Sequence, residues 1–207
     1  MRNLLITMEG PDGAGKSTQI EMLKKDLEQK GYEVLITREP GGNPISEAIR
    51  GIILNKEYSQ MSYMTELLLY AAARAQLVAE VIKPALEAGK VVICDRFVDS
   101  SVVYQGIARG LGIETAYGVN EYALQGLMPI LTILMDLSAE EGIRRKKNQA
   151  ELDRMELAGL DFHRKVAQGY RDLAAMHPER IVTIDAALPI TEIHDRIEAV
   201  VMERLAL

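Results

Sequence analysis

A glycine-rich loop near the amino terminus is the feature that most constrains how this chain can fold. Residues 9–18 read Glu-Gly-Pro-Asp-Gly-Ala-Gly-Lys-Ser-Thr and fit the phosphate-binding pattern G-x-x-x-x-G-K-[ST]. The glycines let successive backbone N–H groups face one anion, and a following helix adds its positive end. Lys16 supplies a charge for the β- and γ-phosphates, and Ser17 offers a hydroxyl to Mg²⁺. The residues predicted to bind the triphosphate of ATP are Gly10, Pro11, Asp12, Gly13, Ala14, Gly15, Lys16, Ser17 and Thr18.

The residues on either side of the loop provide the strand–loop–helix setting that such a loop requires. Leu4 to Met8 form a short apolar run typical of a buried strand, and Ile20, Leu23 and Leu27 follow at helical spacing. A glycine-rich turn that only connects two elements is the alternative. The flanking pattern favours the binding loop, but it does not indicate what the phosphate is used for.

The rest of the chain alternates apolar runs of strand length with segments of helical periodicity. Strands are predicted at residues 4–8, 33–37, 91–95, 130–135 and 180–185. Helices are predicted to start at Asn43-Pro44 and at residue 100, and to cover 65–87, 114–127, 156–176 and 191–205. This alternation predicts an α/β fold with a five-stranded parallel sheet and helices on both faces. No linker divides the chain, so we expect residues 1–207 to form a single domain.

The composition restricts the class of function. The chain has 24 Lys and Arg against 30 Asp and Glu, a net charge of −6, which argues against a surface that coats nucleic acid. Its one cysteine, Cys94, lies in an apolar run, so we expect a buried thiol, no disulfide and a cytoplasmic location. No apolar run approaches membrane-spanning length, and we expect no membrane partner. An enzyme that acts on small phosphates fits these properties.

Asp95 and Arg96 come at the end of the third predicted strand. In parallel sheets, ligands bind at the carboxyl ends of strands. Asp95 can hold a water on Mg²⁺, and the planar guanidinium of Arg96 can bind a phosphate. A local ion pair without a ligand is the alternative, and the neighbouring phosphate loop favours the binding role.

Arg74 lies in a helical stretch, residues 67–79, that is otherwise almost wholly apolar. We expect that helix to be buried, and a buried arginine needs anionic or carbonyl partners. Tyr70 precedes Arg74 by one helical turn and lies on the same face. A ring beside a guanidinium suits a planar heterocycle, whereas a structural arginine beside a core tyrosine is the alternative.

Several further motifs follow one another in an order that resembles bacterial thymidylate kinase. They are Arg38-Glu39-Pro40-Gly41-Gly42, Arg50, Tyr70-x-x-x-Arg74-Ala75-Gln76, Asp95-Arg96-Phe97, Ser100-Ser101-x-x-Tyr104-Gln105-Gly106 and Leu152-Asp153-Arg154. The resemblance covers nearly the whole chain. It implies the P-loop NTPase fold, a homodimer, and phosphoryl transfer from ATP-Mg²⁺ to dTMP, which gives dTDP and ADP.

The resemblance implies which residues hold the phosphate and the sugar of the acceptor. The acceptor's phosphate would be bound by Arg38, Arg50 and Arg96. Asp12 would accept a hydrogen bond from the sugar 3′-hydroxyl. Tyr104 would fill the space of a ribose 2′-hydroxyl and so favour deoxy sugars.

The same resemblance implies a site for the thymine base. The base would stack on Tyr70, where relatives often carry phenylalanine, and its edge would bond to Arg74 and Ser101. The pocket would also be lined by Ser100 and Gln105. Ser17 and Asp95 are the predicted contributors to the Mg²⁺ site.

A basic run within residues 138–156 resembles the lid of these kinases. Because position 13 is glycine, the chain is similar to the subtype whose phosphate loop lacks a basic residue and whose lid supplies one. Gln149 stands where some relatives have a third alternating arginine. Arg145 is the expected main contributor because a guanidinium can span two phosphate oxygens, and a solvated helix face is the alternative. The residues predicted to act on the transferred phosphate are Lys16, Arg96, Arg145, Lys147 and Arg154.

The residues alone leave two rival functions open. The acceptor could be another nucleotide or nucleoside, or the loop could drive a switch or an ATPase that acts on a protein. A guanine-specific switch would carry Asn-Lys-x-Asp, but Asn55-Lys56 is followed by Glu57-Tyr58. The reaction products distinguish a kinase from an ATPase.

Overall fold

A parallel sheet forms the centre of the molecule, in a computed structural model that describes residues 3–146 and 153–206. The sheet has five strands in the order β2-β3-β1-β4-β5, and all neighbouring pairs are parallel. The strands are β1 (Leu5–Glu9), β2 (Val34–Arg38), β3 (Val91–Asp95), β4 (Leu131–Asp136) and β5 (Ile181–Asp185). The predicted α/β fold is confirmed, and no strand boundary differs from its prediction by more than one residue.

Helices cover both faces of this sheet. Within the two described ranges, the α-helices are α1 (Lys16–Gln29), α2 (Pro44–Leu54), α3 (Tyr63–Leu77), α4 (Lys83–Glu87), α5 (Val98–Ser101), α6 (Ile113–Leu124), α7 (Ala139–Lys146), α8 (Leu160–Met176) and α9 (Ile190–Ala206). Two π-helical turns, Val78–Ile82 and Val102–Ala108, continue α3 and α5. Short 3₁₀ turns lie at Lys56–Tyr58 and Glu156–Ala158.

Two of the predicted helices are interrupted by turns of different geometry. The helix predicted over 65–87 is α3, a π-helical turn and α4 in succession. Pro84 lies in the first turn of α4, where its missing N–H breaks little of the helical bonding. The helix predicted from residue 156 starts at Leu160, because Gly159 adopts a φ of 89° between the 3₁₀ turn and α8.

Other helix boundaries follow local capping. Asn43 caps α2 as predicted, and its side-chain oxygen accepts a hydrogen bond from the backbone N–H of Ser46 at 2.9 Å. The helix predicted from residue 100 starts two residues earlier, at Val98. The helix predicted to reach residue 127 ends at Leu124, because Gln125 turns left-handed with a φ of 51°.

Apolar packing on both faces makes the sheet a rigid support. All of β1 is buried, and in β3 only Asp95 is partly exposed. One apolar cluster packs α1, α4 and α9 against the sheet, and a second joins α3, α8 and the π-helical turn that follows α5. Chain segments that leave this sheet at one edge are therefore held in fixed relative positions.

The carboxyl ends of the three central strands, β3, β1 and β4, lie at the edge of the sheet where the selected motifs meet. Strand β1 lies between β3 and β4, so the loops that follow these strands meet there. The glycine-rich loop follows β1, Arg96 follows β3, and α7 begins three residues after β4. The fold thus brings together the motifs that the sequence analysis selected.

Two expectations from the composition concern the single cysteine and membrane-spanning helices. Cys94 is fully buried and free, as predicted, and its thiol donates to the carbonyl of Arg96 at 3.0 Å. None of the helices in the described ranges is both long enough and apolar enough to cross a membrane.

Candidate active site

The loop between β1 and α1 forms a cradle that only glycine permits at its critical points. Gly10 has a φ of 135°, and a Cβ there would lie 2.4 Å from the carbonyl oxygen of Met135. Gly13 and Gly15 also adopt positive φ values, 80° and 86°. Helix α1 starts at Lys16, so its positive end points into the cradle.

Lys16 lies buried within this cradle. Its ammonium donates to the carbonyl oxygens of Gly10 and Pro11 at 3.3 Å each, both longer than the usual N–H···O distance. Burial, and then the charge of Arg96, lower the pKa of Lys16 to about 8. A bound polyphosphate would offset both effects, which is what a phosphate-binding lysine requires.

Asp12 faces Arg96 across the mouth of the cradle. Its Oδ1 accepts a hydrogen bond from Arg96 Nη2 at 2.9 Å, and Lys146 Nζ lies 3.7 Å from the same oxygen. Burial acts to raise the pKa of Asp12, but the charges of Arg96, Lys16 and Lys146 outweigh it and hold that pKa well below its usual value. Asp12 is therefore an ionised hydrogen-bond acceptor at neutral pH.

A cavity of about 450 Å³ opens beside the loop at the ends of β2 and β3. Its wall carries the cations expected of a phosphate site together with acidic and hydroxyl groups. It is lined by Asp12, Gly13, Gly15, Lys16, Ser17, Thr18, Arg38, Glu39, Arg50, Asp95, Arg96, Arg145 and Lys146. We name it the phosphate cavity.

The phosphate cavity contains suitable ligands for Mg²⁺. Ser17 and Asp95, the two predicted contributors to the Mg²⁺ site, lie on its wall, and Asp95 Oδ1 is buried with no hydrogen-bond partner among the described residues. Mg²⁺ prefers hydroxyl, carboxylate and water oxygens, so these groups fit the ion.

A second cavity, of about 180 Å³, adjoins the first and shares Asp12, Glu39, Arg50, Arg96 and Lys146 with it. We name it the acceptor cavity. It brings together nearly all the residues predicted to bind the acceptor: Asp12, Arg50, Tyr70, Arg74, Arg96, Ser100, Ser101, Tyr104 and Gln105. Arg38 is the exception, because it lines the phosphate cavity and its exposed guanidinium forms two hydrogen bonds with Glu47.

Arg74 is buried as predicted, 1% exposed, although its helix is not buried all round. Leu68 of α3 is 52% exposed, so that part of the prediction is wrong. The Arg74 guanidinium forms a salt bridge with buried Glu39 and donates to Ser101 Oγ at 3.1 Å and to Asn120 Oδ1. Burial raises the pKa of Glu39 to about 7. These partners fix the guanidinium in one plane at the cavity wall.

Three buried polar atoms at the acceptor cavity have no partner within the described chain. They are Glu39 Oε1, Arg74 Nε and Tyr104 Oη. Buried polar groups in proteins are nearly always paired, so unpaired ones around a cavity indicate a polar ligand. The acceptor cavity is therefore prepared for a molecule with hydrogen-bonding groups.

Helix α7 carries the described part of the predicted lid. Arg145 lines the phosphate cavity, and its guanidinium donates to Glu141 Oε1 at 2.8 Å and to the carbonyl of Ala186 at 3.1 Å. Lys146 forms a salt bridge with Glu156. Lys147 lies outside the described residues.

Arg154 has a different environment from Arg145. Its side chain is 8% exposed, and its Nη1 lies 2.6 Å from Oε2 of the fully buried Glu66. Its Nε donates to the carbonyl of Ile53 at 2.7 Å. In this conformation the guanidinium is bound to the protein rather than to the phosphate cavity, and its catalytic role stays a prediction.

A further cavity, of about 360 Å³, lies on the other side of Arg145. It is lined by the loop residues Gly13, Ala14 and Gly15, by Thr18, and by apolar side chains on the segment that follows β5, among them Leu188 and Ile190. We name it the donor-base cavity, because a base attached to phosphates held in the loop would reach it.

Sequence reasoning missed several groups that the structure places at this edge. Lys146, Glu156 and Glu39 line the cavities, while Glu9 and Tyr170 lie buried beneath them. Glu39 was part of a selected motif and its adjacency to Arg38 offered a signal. Glu9 and Tyr170 are 161 residues apart, and no local pattern relates them.

One group of possible metal ligands lies elsewhere. Asp26, His194 and Glu198 have ligand atoms within 4.8 Å of one another, on α1 and α9. His194 Nε2 is 2.5 Å from Asp26 Oδ2, and Glu198 pairs with Lys30 at 3.2 Å. These contacts explain why the three side chains lie close together: they link the α1 segment to α9.

Comparison with known proteins identifies the family. The family model described as thymidylate kinase matches residues 8–197. A thymidylate kinase of Geobacillus thermodenitrificans is 50% identical over 99% of this chain and 92% of its own length, and one of Geobacillus sp. is 48% identical over 99% of both. The chain belongs to the thymidylate kinase family. The crystal structure of thymidylate kinase from Ehrlichia chaffeensis aligns with a TM-score of 0.78 at 29% identity, over 96% of this chain and 98% of that one.

Proposed function

We propose that this protein transfers the γ-phosphate of ATP, bound with Mg²⁺, to the phosphate of dTMP, which gives dTDP and ADP. The observation that carries the proposal is the shared wall of the phosphate and acceptor cavities. Asp12, Arg50 and Arg96 line both cavities, so a donor and an acceptor phosphate would meet there. Membership of the thymidylate kinase family supports the choice of acceptor.

Charge and alignment provide the rate enhancement in this proposal. Phosphoryl transfer passes through a loose transition state, which needs positioning and positive charge rather than a covalent nucleophile. Lys16 and Arg96 lie at fixed positions beside the cavity and would bind the phosphate oxygens. Ser17 and Asp95 would hold Mg²⁺, which neutralises charge on the transferred group.

Selection of the acceptor would depend on the walls of the acceptor cavity. Tyr70 would stack on thymine, and Arg74 with Ser101 and Gln105 would bind its edge. Ionised Asp12 would accept from the 3′-hydroxyl of the sugar. The buried ring of Tyr104 would leave no space for a 2′-hydroxyl.

The lid would complete the charge around the transferred phosphate. Helix α7 places Arg145 between the phosphate cavity and the donor-base cavity, which supports it as the main contributor. Lys147 and Arg154 stay alternative contributors. Apolar Leu188 and Ile190 would pack against adenine in the donor-base cavity.

A homodimer in the cytoplasm is the assembly we propose. Met64, Leu68 and Ala72 recur every four residues on α3 and are all exposed, and Tyr122 on α6 is 87% exposed. Apolar exposure of this kind marks association surfaces. The single buried thiol, Cys94, fits a reducing compartment.

A panel of nucleoside monophosphates tests the acceptor. Each is incubated with ATP-Mg²⁺, and ADP, free phosphate and nucleoside diphosphate are measured separately. We expect dTMP to be preferred over dUMP by about 1–3 kcal/mol, the value of one methyl group in an apolar pocket, and over UMP more strongly. Faster turnover of a purine monophosphate, equal kcat/KM for UMP, or free phosphate as the main product would refute the proposal.

A further inference from the structure

The backbone at Arg96 is held in an unusual conformation. Its φ is 68°, in the left-handed region that a side chain with a Cβ seldom adopts. The Arg96 N–H donates to the carbonyl of Met8 on the neighbouring strand at 2.9 Å, which ties this conformation to the sheet. Such strain persists only where surrounding contacts determine it.

The guanidinium of Arg96 is fixed from three sides. Its Nη2 donates to Asp12 at 2.9 Å, and its Nη1 donates to Ser100 Oγ at 3.2 Å and to the hydroxyl of Tyr170 at 3.0 Å. The guanidinium carbon lies 5.2 Å from the centre of the Tyr104 ring. Asp12 and Tyr104 line the acceptor cavity, whereas the Tyr170 hydroxyl approaches Arg96 from the protein interior.

Tyr170 and Ser100 are in turn held by Glu9, which is fully buried at the end of β1. Glu9 Oε2 accepts from Ser100 Oγ at 2.6 Å and from the Tyr170 hydroxyl at 2.8 Å. Its Oε1 accepts from the backbone N–H groups of Phe97 at 2.7 Å and of Ser100 at 3.3 Å. One carboxylate therefore fixes the start of α5 and both hydroxyls.

The donors and acceptors in this network restrict where the hydroxyl protons lie. Burial raises the pKa of Tyr170 well above its usual value, so the hydroxyl keeps its single proton. With Glu9 as a carboxylate, Oε2 accepts the proton of one hydroxyl or of both, because Ser100 Oγ and the Tyr170 hydroxyl also lie 2.8 Å apart and one can donate to the other. The lone pairs of both hydroxyl oxygens then face Arg96 Nη1, which has protons to donate. In each arrangement the hydroxyl oxygens accept from Arg96 Nη1, so the two hydroxyls and Asp12 hold the guanidinium in one orientation.

We propose that Tyr170, with Glu9 behind it, is a positioning residue that orients Arg96 toward the transferred phosphate. The proposal rests on the proposed function, in which Arg96 binds phosphate. Tyr170 belongs to α8, which follows the lid segment, and its ring packs edge-on against Tyr104 at 6.2 Å. A phenylalanine would fill the same volume, so the core alone gives no reason for the hydroxyl.

Tyr170→Phe removes only this hydroxyl. We expect kcat for dTMP phosphorylation to fall by about 10- to 100-fold, the range for loss of a charged hydrogen bond that orients a phosphate ligand, with little change in KM for ATP. Tyr117→Phe is the matched control, because the Tyr117 hydroxyl contacts His177 Nε2 at 3.4 Å and takes no part in the described hydrogen bonds of Arg96. We expect the control to keep wild-type kcat.

A double-mutant cycle separates positioning from a structural role. If Tyr170 acts through Arg96, adding Tyr170→Phe to Arg96→Ala should lower the single-turnover rate little further. Glu9→Gln, which keeps the acceptor Oε1 and replaces Oε2 by a donor, should show the same coupling. Multiplicative losses in either cycle, or full activity of Tyr170→Phe, would overturn the proposal.

A measurement without turnover keeps this inference separate from the kinase activity. Slow rotation of the Arg96 guanidinium, observed by NMR of its side-chain nitrogens, should be present in the wild-type protein and in Tyr117→Phe and lost in Tyr170→Phe. An equally restrained guanidinium in Tyr170→Phe would overturn the positioning role. Failure of the wild-type protein to form dTDP would instead remove the proposed function.

Discussion

At the scale of single residues, Lys16 illustrates a side chain whose place is set by a ligand rather than by the fold. It is 8% exposed, yet its two hydrogen bonds are long and its pKa is lowered to about 8. A lysine whose pKa is lower in the folded state than in the unfolded chain opposes folding wherever it is charged, below about pH 8. The unliganded protein therefore carries Lys16 at a cost in stability.

Lys16→Met should accordingly abolish turnover while leaving the thermal midpoint unchanged or higher. We expect kcat to fall by at least about 10²-fold, as for other preorganised donors to a reacting group. Lys24→Met is the control, since Lys24 is partly exposed and makes one ion pair of 3.8 Å with Glu28. Calorimetry and steady-state kinetics measure both effects. An unfolded Lys16→Met variant, or one with normal turnover, contradicts the assignment.

What the sequence could predict at this scale depends on the distance between partners along the chain. The binding residues of the loop were identified because Gly10, Gly15 and Lys16 are close in sequence and each is needed there for a separate physical reason. Glu39 and Arg74 both lie in motifs selected from the sequence, but their salt bridge could not be predicted, since it joins two segments that are 35 residues apart. The same holds for Glu9 and Tyr170.

At the scale of elements, the contact between α7 and the phosphate loop sets where the lid begins. A Cβ on Gly142 would lie 2.4 Å from the carbonyl oxygen of Asp12, and one on Gly13 would lie 2.5 Å from the carbonyl oxygen of Gly142. Backbone therefore packs directly on backbone at this point. The absence of a side chain at residue 13 is thus also a packing requirement, beyond its effect on loop charge.

Gly142→Ala should displace α7 from the loop. We expect it to destabilise the protein by about 1–3 kcal/mol, the usual cost of overpacking, and to lower kcat because Arg145 moves with the helix. Gly118→Ala in α6 is the matched control, since a Cβ there meets nothing within 4 Å. That change should be neutral or stabilise by up to about 1 kcal/mol. Denaturant unfolding gives both values, and equal effects of the two substitutions would refute the packing argument.

Arg145 and Arg154 of the lid should respond differently to truncation. Arg145→Ala should lower kcat by about 10²–10⁴-fold with little change in KM or stability, as for arginine fingers. Arg154→Ala should instead destabilise the protein by about 3–5 kcal/mol, because the buried Glu66 carboxylate loses its salt bridge with Arg154 and keeps the one with Arg109. Kinetics and unfolding of both variants test this. Normal kcat in Arg145→Ala with a large loss in stable, folded Arg154→Ala would transfer the catalytic role to Arg154.

The elements themselves were largely predictable, and the exceptions share a cause. The strands could be placed within one residue because apolar runs between charged residues have sharp ends. The π-helical turns at Val78–Ile82 and Val102–Ala108 were not predicted, because over so few residues their apolar pattern does not differ from that of an α-helix. Arg74 was correctly expected to be buried. The exposure of Leu68, however, shows that an apolar helix face need not be buried within the monomer.

At the scale of the whole molecule, the exposed apolar face of α3 should determine association. Leu68→Glu places a charge in the middle of that face, so we expect it to shift a dimer toward monomer, because burying an unpaired charge at an interface is costly. Met176→Glu is the control, since Met176 is 56% exposed at the end of α8. Light scattering over a concentration series measures the mass. A dimer of unchanged stability in Leu68→Glu would exclude this face.

The π-helical turn over Val102–Ala108 limits how this protein can vary. Tyr104 and Gln105 within it both line the acceptor cavity, and each hydrogen-bonded turn of a π-helix spans one residue more than a turn of an α-helix. Changes of residue type are compatible with that turn, but a change of chain length is not. A one-residue deletion would restore the α-helical phase and rotate one of the two side chains away from the acceptor. Natural or engineered variants that keep this acceptor should therefore differ here by substitution and never by insertion or deletion.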